Sequence, residues 1–139
     1  MVWGKNHNYN LGIGNVEAKE TPDYIDFFRK KRITIEKTSI NTYHSVFVAS
    51  NGDVYMTGHG KGGRLGNGSQ NTLVYPTKIP IQMRGSEEKI IDVSTGTYHT
   101  LLLSNENCVS KLQIYLNFFT FFITLDILLR RKQSLPAWN

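Results

Sequence analysis

The sequence predicts an all-β fold, and three observations support this prediction. A block of the chain recurs at a fixed offset of 54 positions, the repeated blocks contain short β-prone runs, and glycines separate those runs. A period above fifty with many turn residues is typical of propellers and related arrays, whose sheets bury their faces by stacking on one another. We therefore expect antiparallel blades of a β-propeller, about two repeats in an incomplete ring, followed by a hydrophobic C-terminal helix.

The recurring residues define the repeat. After a one-residue insertion the offset becomes 55, and Tyr43-His44-Ser45-Val46 returns as Tyr98-His99-Thr100-Leu101. The residues that recur at the first offset are Gly4, Leu11, Gly12, Gly14 and Pro22, which return as Gly58, Leu65, Gly66, Gly68 and Pro76. Because His44 and His99 recur together with their strands, we expect each to make a structural hydrogen bond rather than to serve as a ligand or base.

The strands follow from short runs of β-prone residues. Residues 32–38 and 89–94 each contain apolar β-branched side chains and predict one strand in each unit. Residues 43–48 and 54–57 are two further runs, which flank Ser50-Asn51-Gly52-Asp53. This pattern predicts a hairpin with a type I′ turn, because both central residues of that turn need positive φ, which Asn and Gly tolerate.

Composition and charge divide the chain near residue 109. Residues 1–109 contain twelve Lys or Arg against ten Asp or Glu, whereas residues 110–139 contain four against one. More than half of the net charge of +5 therefore lies in the tail, and a nucleic-acid partner is not indicated. All twelve glycines precede residue 110. We interpret the chain as two partial repeats, at about 1–54 and 55–109, and a non-matching hydrophobic and basic tail at 110–139.

The chain has the length and composition of one ordinary domain, with 139 residues of which 40% are hydrophobic and 19% charged. Its single cysteine, Cys108, cannot form an internal disulfide, and the first ten residues lack the apolar run of a signal peptide. We therefore expect a cytoplasmic or nuclear protein, with membrane association through the tail as the alternative.

The densest motif is the glycine-rich segment at residues 58–68. Its first six residues match G-x-G-x-x-G, but no helical pattern and no βαβ unit follow, so dinucleotide binding is not indicated. Ser45 and His44 are neighbours in a strand and point to opposite faces, which excludes them as a catalytic pair. His residues in the loops have no partners at metal-ligand spacing. We expect no enzymatic activity, no cofactor and no metal.

The glycine-rich segment, the proline after it and the Tyr-His strand resemble the regulator of chromosome condensation repeat family. Within that family, residues 59–66 together with Tyr43-His44-Ser45-Val46-Phe47 are similar to the repeat region of inhibitor of Bruton tyrosine kinase proteins. The resemblance covers residues 2–109 and implies propeller blades with a role in protein binding. The repeat pattern stops after Val109, where Ser110-Lys111-Leu112 replaces the expected aromatic and glycine.

Loops at the rim of rigid blades are the expected contacts for a partner. The candidate partner-binding residues come from the glycine-rich segment and from one basic cluster: Lys61, Arg64 and Asn67, and Arg29, Lys30, Lys31 and Arg32. The basic cluster has alternative interpretations as a solvated loop beside Asp23, Asp26 and Glu36, or as a site for DNA phosphates or an import receptor.

By resemblance, the expected function is a non-catalytic protein-interaction module that binds a tyrosine kinase of the Bruton type and inhibits it by steric masking. Two alternatives remain from other classes. One is guanine-nucleotide exchange on a small GTPase, which the founding member of the family implies. The other is a membrane-anchored repeat protein.

The tail contains an apolar stretch at residues 112–129 that is followed by Arg130-Arg131-Lys132. Its length is slightly below the roughly 20 apolar residues of a typical membrane helix, and Gln113, Asn117 and Asp126 interrupt it. Three interpretations stay open: a membrane helix, a helix packed on the blades, and the translation of an A/T-rich intron.

Overall fold

Three antiparallel sheets make up the described part of the chain. The computed structural model describes residues 1–81 and 87–106, together with the backbone of two strands at 108–112 and 127–128. The elements are β1 (Val2–Gly4), β2 (Lys19–Asp23), α1 (Asp26–Lys30), β3 (Ile35–Ile40), β4 (His44–Ala49), β5 (Val54–Gly58), a 3-10 turn (Lys61–Gly63), β6 (Leu73–Ile79), β7 (Ile90–Thr95), β8 (Thr100–Ser104), β9 (Cys108–Leu112) and β10 (Ile127–Leu128). The all-β prediction is confirmed.

The blades and the sequence repeats are out of phase. One sheet has the order β3-β4-β5-β6 and the other the order β10-β9-β8-β7, and β1 pairs with β2 alone. The first blade therefore runs from residue 35 to residue 79 and crosses the expected unit boundary at 54. Strands β1 and β2 precede parts of β5 and β6 by one repeat offset, so they correspond to the last two strands of a blade.

The first strand of each full sheet lies close to its predicted position, at 35–40 and 90–95. Strand β3 begins three residues later than predicted, because the segment before it closes the short helix α1. The backbone N–H of Ile33 donates to the Phe28 carbonyl, and Arg32 adopts a positive φ of 54°. Five residues are too few to give a helical period, so the sequence did not indicate α1.

The hairpin between β4 and β5 forms where the sequence predicts it, but the type I′ turn is wrong. Gly52 has a φ of 85°, whereas Asn51 is not among the residues with positive φ. The N–H of Gly52 donates to the Ala49 carbonyl at 2.8 Å, as in a type I turn followed by a glycine bulge. The Asn51 carboxamide oxygen accepts the N–H of Asp53 at 3.0 Å, a local bond that favours this turn.

The core lies on both faces of the first blade. Alternate residues of β4 point to opposite sides, so Val46 and Val48 contact one cluster while Phe47 and Ala49 contact the other. The cluster between the two blades consists of Val46, Val48, Val54, Met56, Leu65, Ile79, Ile90 and Leu102. The cluster on the opposite face consists of Val2, Leu11, Ile25, Phe28, Phe47, Ala49 and Tyr55. Stacking on both sides is what a propeller blade requires.

Part of the tail continues the second sheet. Strand β9 pairs with β8 and extends to Leu112, three residues past the expected end of the repeat at 109. The helix expected within 112–129 lies largely outside the described residues, and the described positions there, Leu112, Ile127 and Leu128, are in strands. None of the helices in the described part of the chain is long and apolar enough to cross a membrane.

Candidate protein-binding face

The loops of the described sheets lie at two opposite ends. At one end, which we call the glycine-loop end, the glycine-rich loops at residues 5–18 and 59–72 meet the turns at 41–43 and 96–99. The N–H of His59 donates to the Tyr43 carbonyl there at 2.8 Å. The helix end contains residues 24–34 and the turn at 50–53, whose Ser50 N–H donates to the Thr34 carbonyl at 3.0 Å. Antiparallel strands separate the two ends.

The glycines of the repeat set the path of the loops. Those with positive φ include six glycines that recur at the first repeat offset: Gly4, Gly12, Gly14, Gly58, Gly66 and Gly68. Gly58 also has no room for a side chain, because an added Cβ would collide with the Tyr43 carbonyl oxygen and would lie 2.6 Å from the His44 Cα. Leu11 and Leu65 are buried beneath the two loops.

A repeated hydroxyl bond holds each glycine loop against the next sheet. The Ser45 hydroxyl donates to the Asn10 carbonyl, and Thr100 donates to the Arg64 carbonyl at 3.1 Å. Asn10 and Arg64 are related by the first repeat offset, and Ser45 and Thr100 by the second, so the two bonds are equivalent. The loops are therefore fixed to the blades by the same contact in both units.

His44 joins the two blades. Its ring is completely buried, and Nε2 lies 2.8 Å from the Thr100 hydroxyl oxygen while Nδ1 lies 3.4 Å from the Asn41 amide nitrogen. Burial lowers the pKa of His44 to about 4, and the nearby Arg64 charge acts in the same direction. The imidazole is therefore neutral at physiological pH. His99 is half-buried, and its ring lies against Gly96.

Arg64 lies between two tyrosines from equivalent positions of the two units. Its guanidinium carbon is 4.6 Å from the centre of the Tyr43 ring and 4.9 Å from that of Tyr98. Nε donates to the Lys61 carbonyl at 2.7 Å, whereas Nη1 is buried without a hydrogen-bond partner among the described residues. Desolvation lowers the pKa of the guanidinium. Cation–π contacts of a desolvated cation contribute about 2 kcal/mol.

This arrangement corrects the expectation for Arg64. The sequence placed Arg64 among the exposed rim contacts, but Arg64 is only 2% exposed, because the two tyrosine rings cover its guanidinium. Tyr43 and Tyr98, at 36% and 55% exposure, take the surface position instead. Neither tyrosine was a candidate contact, although an aromatic residue repeated in two turns, where no core requires it, was a usable signal.

The remaining candidates of the glycine-rich segment differ in exposure and in bonding. Lys61 is exposed, and its backbone carbonyl accepts the Nε–H of Arg64, whose guanidinium lies between the two tyrosines. The Asn67 carboxamide oxygen accepts the N–H and the hydroxyl of Ser69, so it stabilises a turn. Residues 59–72, 41–43 and 96–99 contain no carboxylate, so the charge next to Lys61 is positive, whereas the loop at 5–18 contains both Lys5 and Glu17. Tyrosine is one of the residue types enriched at the energetic centres of protein interfaces.

The basic cluster lies at the other end of the sheets. Arg29 and Lys30 both pair with Asp26, at 2.8 Å and 3.4 Å, and all three side chains are exposed. The Lys31 ammonium lies 4.5 Å from the centre of the Phe27 ring, and Arg32 is exposed. The structure thus does not bring the two groups of candidate contacts together. Exposed ion pairs of this kind contribute about 0 to 1 kcal/mol.

Comparison with known proteins defines the class of this chain. Residues 51–103 match the family model of the "Regulator of chromosome condensation (RCC1) repeat". Together with the stacked antiparallel blades and the repeated glycine loops, this match means that the chain belongs to the RCC1 repeat family of propeller proteins.

The curated relatives show which members of the RCC1 repeat family this chain is similar to. The chain is 36% identical over 108 residues to the human protein "Inhibitor of Bruton tyrosine kinase" and 34% identical over 108 residues to the protein of that name from Mus musculus. Each match covers 78% of this chain and 8% of the relative, so the chain spans a small part of these proteins. A match to "Ultraviolet-B receptor UVR8" of Arabidopsis thaliana has 31% identity over 102 residues, or 73% of this chain and 22% of the relative.

Solved structures show the same fold. Yeast RCC1 (Prp20) bound to Kap60 has a TM-score of 0.67 at 17% identity, over 80% of this chain and 27% of that one. Human WBSCR16 has a TM-score of 0.61 at 15% identity, over 81% of this chain and 32% of that one. At such identities the likeness concerns the fold alone.

Proposed function

We propose that this chain contributes a non-catalytic protein-binding surface, and that the surface is centred on Tyr43, Tyr98 and Lys61 at the glycine-loop end. The observation that carries the proposal is the position of Arg64, which holds the two exposed rings from below. Because the rings are held in place before a partner arrives, binding loses little side-chain freedom. The exposed ammonium of Lys61, with no carboxylate in residues 59–72, 41–43 or 96–99, favours a partner segment that carries Asp or Glu.

The partner that we propose is a tyrosine kinase of the Bruton type, which the chain would inhibit by covering part of the kinase surface. The support is the sequence similarity to proteins named for this inhibition, over most of the described residues. Lys61 and the two tyrosines belong to the rim of the blades, where a second protein reaches them without rearranging a strand. The location that we propose is cytoplasmic or nuclear.

Biolayer interferometry between the full chain and the kinase tests this proposal. We expect Tyr98→Ala and Lys61→Glu each to weaken binding at least about tenfold, as truncation at an interface centre does. Arg32→Glu is the matched control, because it reverses an exposed charge at the helix end. Weakening by Arg32→Glu alone would move the interface to the basic cluster. No binding by the unchanged chain would remove the kinase as partner.

The alternative function is guanine-nucleotide exchange on a small GTPase. Prp20p from Saccharomyces cerevisiae, which binds Gsp1p and histones, has a solved structure that matches this chain with a TM-score of 0.57 at 19% identity. This alternative predicts that the chain accelerates release of a fluorescent nucleotide from a small GTPase. We expect the release rate to be unchanged, and a chain-dependent increase would favour exchange over the binding module.

A further inference from the structure

The contact between the two blades is the best-defined interface in the molecule. Val46 and Val48 of the first sheet lie in one buried cluster with Ile90 and Leu102 of the second. Three polar contacts follow the same boundary: Ser39 to Thr95 at 2.8 Å between hydroxyl oxygens, the Asn41 amide to the Gly96 carbonyl at 2.9 Å, and His44 to Thr100 at 2.8 Å. One side of this interface therefore belongs to β3 and β4, and the other to β7 and β8.

One face of the first blade corresponds to the β7–β8 side of this interface. In the described part of the chain, β1 and α1 contact this face, but no sheet equivalent to β3–β4 covers it. The residues that lie 55 positions before Ile90, Val93, Thr95 and Leu102 are Ile35, Thr38, Ile40 and Phe47. All four line an open groove of about 500 Å³, together with Val2 of β1 and side chains of the α1 region. Ile40 is 46% exposed in this groove.

One face of the second blade corresponds to the β3–β4 side of the interface, and no sheet among the described residues covers it. Leu101 and Leu103 lie 55 positions after Val46 and Val48, which are 0% and 1% exposed. In contrast, both leucines are only half-buried. His99 stands at the position of His44, and it too is half-buried. The described residues thus present two apolar surfaces, one on each blade. Within the chain, a surface of the first kind packs against a surface of the second kind.

Strand β1 has an open edge beside the groove. It corresponds to β5, which pairs with β4 so that Gly58 lies opposite His44. Gly4 has the same positive φ as Gly58, 105° against 120°, but an added Cβ at Gly4 would meet nothing within 4 Å. The backbone at Gly4 therefore has the conformation that accommodates a neighbouring strand equivalent to β4. None of the described residues forms that strand.

We propose that two copies of this chain associate head to tail, with the β7–β8 hairpin of one copy in the groove of the other. Strand β8 then pairs with β1 of the second copy, and His99 lies opposite Gly4 as His44 lies opposite Gly58. The contact continues an interface already present within each chain. It is heterologous, so each copy keeps one open surface of each kind, and further copies can add.

The association requires β9 to leave the edge of β8. Within one chain, β9 places Lys111 opposite Leu101, where the first sheet places Met56 opposite Val46. Strand β1 of a second copy offers Val2 at that position, and Val2 is the repeat equivalent of Met56. It also offers Gly4, whereas the sequence after residue 109 contains no glycine. The β1 strand therefore matches the edge of β8 better than β9 does.

Sedimentation velocity of the full chain over a range of concentrations tests the association. We expect species larger than the monomer to increase with concentration, and Ile40→Lys to weaken the association at least about tenfold, because it buries an ammonium in an apolar groove. Val74→Lys is the matched control, since Val74 is also an exposed strand residue, 36% exposed, outside the groove. A chain that stays monomeric, or an association that Ile40→Lys leaves unchanged, overturns the proposal.

A cross-link tests the register. Ser39 and Thr95 are in contact within the chain, and their repeat equivalents are Ser94 and Ile40. In a Cys108→Ser background, we expect a disulfide-linked dimer when the single variants Ile40→Cys and Ser94→Cys are mixed and oxidised. Mixing Ile40→Cys with Val74→Cys is the control. Equal dimer yields from the two mixtures would overturn the proposed register.

Discussion

The two glycine-rich loops share part of their backbone conformation and enclose different groups. Gly62 has a φ of 75°, whereas its equivalent Asn8 is not among the residues with positive φ. Tyr9 and Gly63 are equivalent, and both have positive φ, 59° and 68°. Asn6 stands at the position of Gly60: the first loop encloses a buried amide, and the second encloses backbone alone. The repeat therefore keeps positive φ at several equivalent positions of the loop, while the groups inside the two loops differ.

Asn6 organises the first loop from within. Its amide nitrogen donates to the Asn15 carbonyl at 2.7 Å and to the Glu17 carbonyl at 3.2 Å, and its oxygen accepts the N–H of Leu11 at 2.9 Å. At Gly60 an added Cβ would collide with the carbonyl group of Asn71, 2.6 Å from its carbon. In the second loop, the Asn71 backbone lies where a side chain at the position of Asn6 would begin. Equivalent positions of the two loops therefore cannot exchange their residues freely.

The substitution with the largest expected effect disrupts the second glycine-rich loop. We expect Gly60→Ala to lower the free energy of unfolding by about 3 kcal/mol or more, because the new methyl group meets backbone that cannot move aside easily. The φ of Gly60 is −86°, so the effect is steric and not conformational. Urea unfolding followed by circular dichroism measures it. Gly62→Ala is the control without a collision, since its Cβ would lie 3.5 Å from Tyr98. Because Gly62 has a φ of 75°, we expect this control to lose about 1 to 2 kcal/mol through backbone strain alone. Equal losses would contradict this explanation.

The second effect concerns the equivalent histidines. Burial lowers the pKa of His44 to about 4 from 6.5, so between these pH values the unfolded chain binds the proton more readily. This part of the stability is complete above pH 6.5 and is lost as the pH falls towards 4. We expect a loss of about 2 kcal/mol between pH 7 and pH 5.

Thermal unfolding at both pH values measures the histidine effect. We expect His44→Asn to remove most of the pH dependence in this window, at a cost in stability at pH 7. The chain with His99→Asn should retain the dependence, because the His99 ring does not lie between the two blades. A pH dependence that persists in His44→Asn would assign it to another group.

The third substitution disrupts the first glycine-rich loop. We expect Asn6→Ala to lower the free energy of unfolding by about 2 kcal/mol, since the carbonyls of Asn15 and Glu17 and the N–H of Leu11 all lose their partner. Denaturant unfolding checks it, with Asn8→Ala as the control, because the amide of Asn8 makes one exposed bond, to the Thr42 carbonyl. A loss no larger than that of Asn8→Ala would show that the loop closes without the buried amide.

The sequence predicted what repeats and missed what depends on distant contacts. The strands β3, β4, β5 and β7 were accessible, because they follow from local residue types at a fixed offset, whereas β2 and β6 were not predicted. The phase of the blades was not, since a period does not tell where a sheet begins. The turn at residues 50–53 was mistaken because Asn-Gly suits two turn types, and the Asn51 side chain decides between them.

Arg64 was the main error at the candidate site. A charged residue in a glycine-rich loop predicts exposure, and only the folded chain brings Tyr43 and Tyr98 over it, one from well before it in the sequence and the other from well after. The sequence did contain the pair of tyrosines at equivalent positions. It did not contain the information that both turn towards the same guanidinium, because that contact forms between two blades.

The substitution with the smallest expected effect replaces a buried residue of the second loop with its equivalent from the first loop. Arg64→Asn places in the second loop the residue that Asn10 supplies in the first, where its amide donates to the Lys5 carbonyl at 3.2 Å. We expect a loss of about 1 kcal/mol, because the cation–π contacts disappear while the burial of an unpaired guanidinium group ends at the same time. Denaturant unfolding measures the loss, and the fluorescence anisotropy of the tyrosines reports whether the two rings become mobile. If Arg64 serves to hold the rings for a partner, Arg64→Asn should weaken partner binding more than its small effect on stability suggests, whereas equal changes would make the residue purely structural.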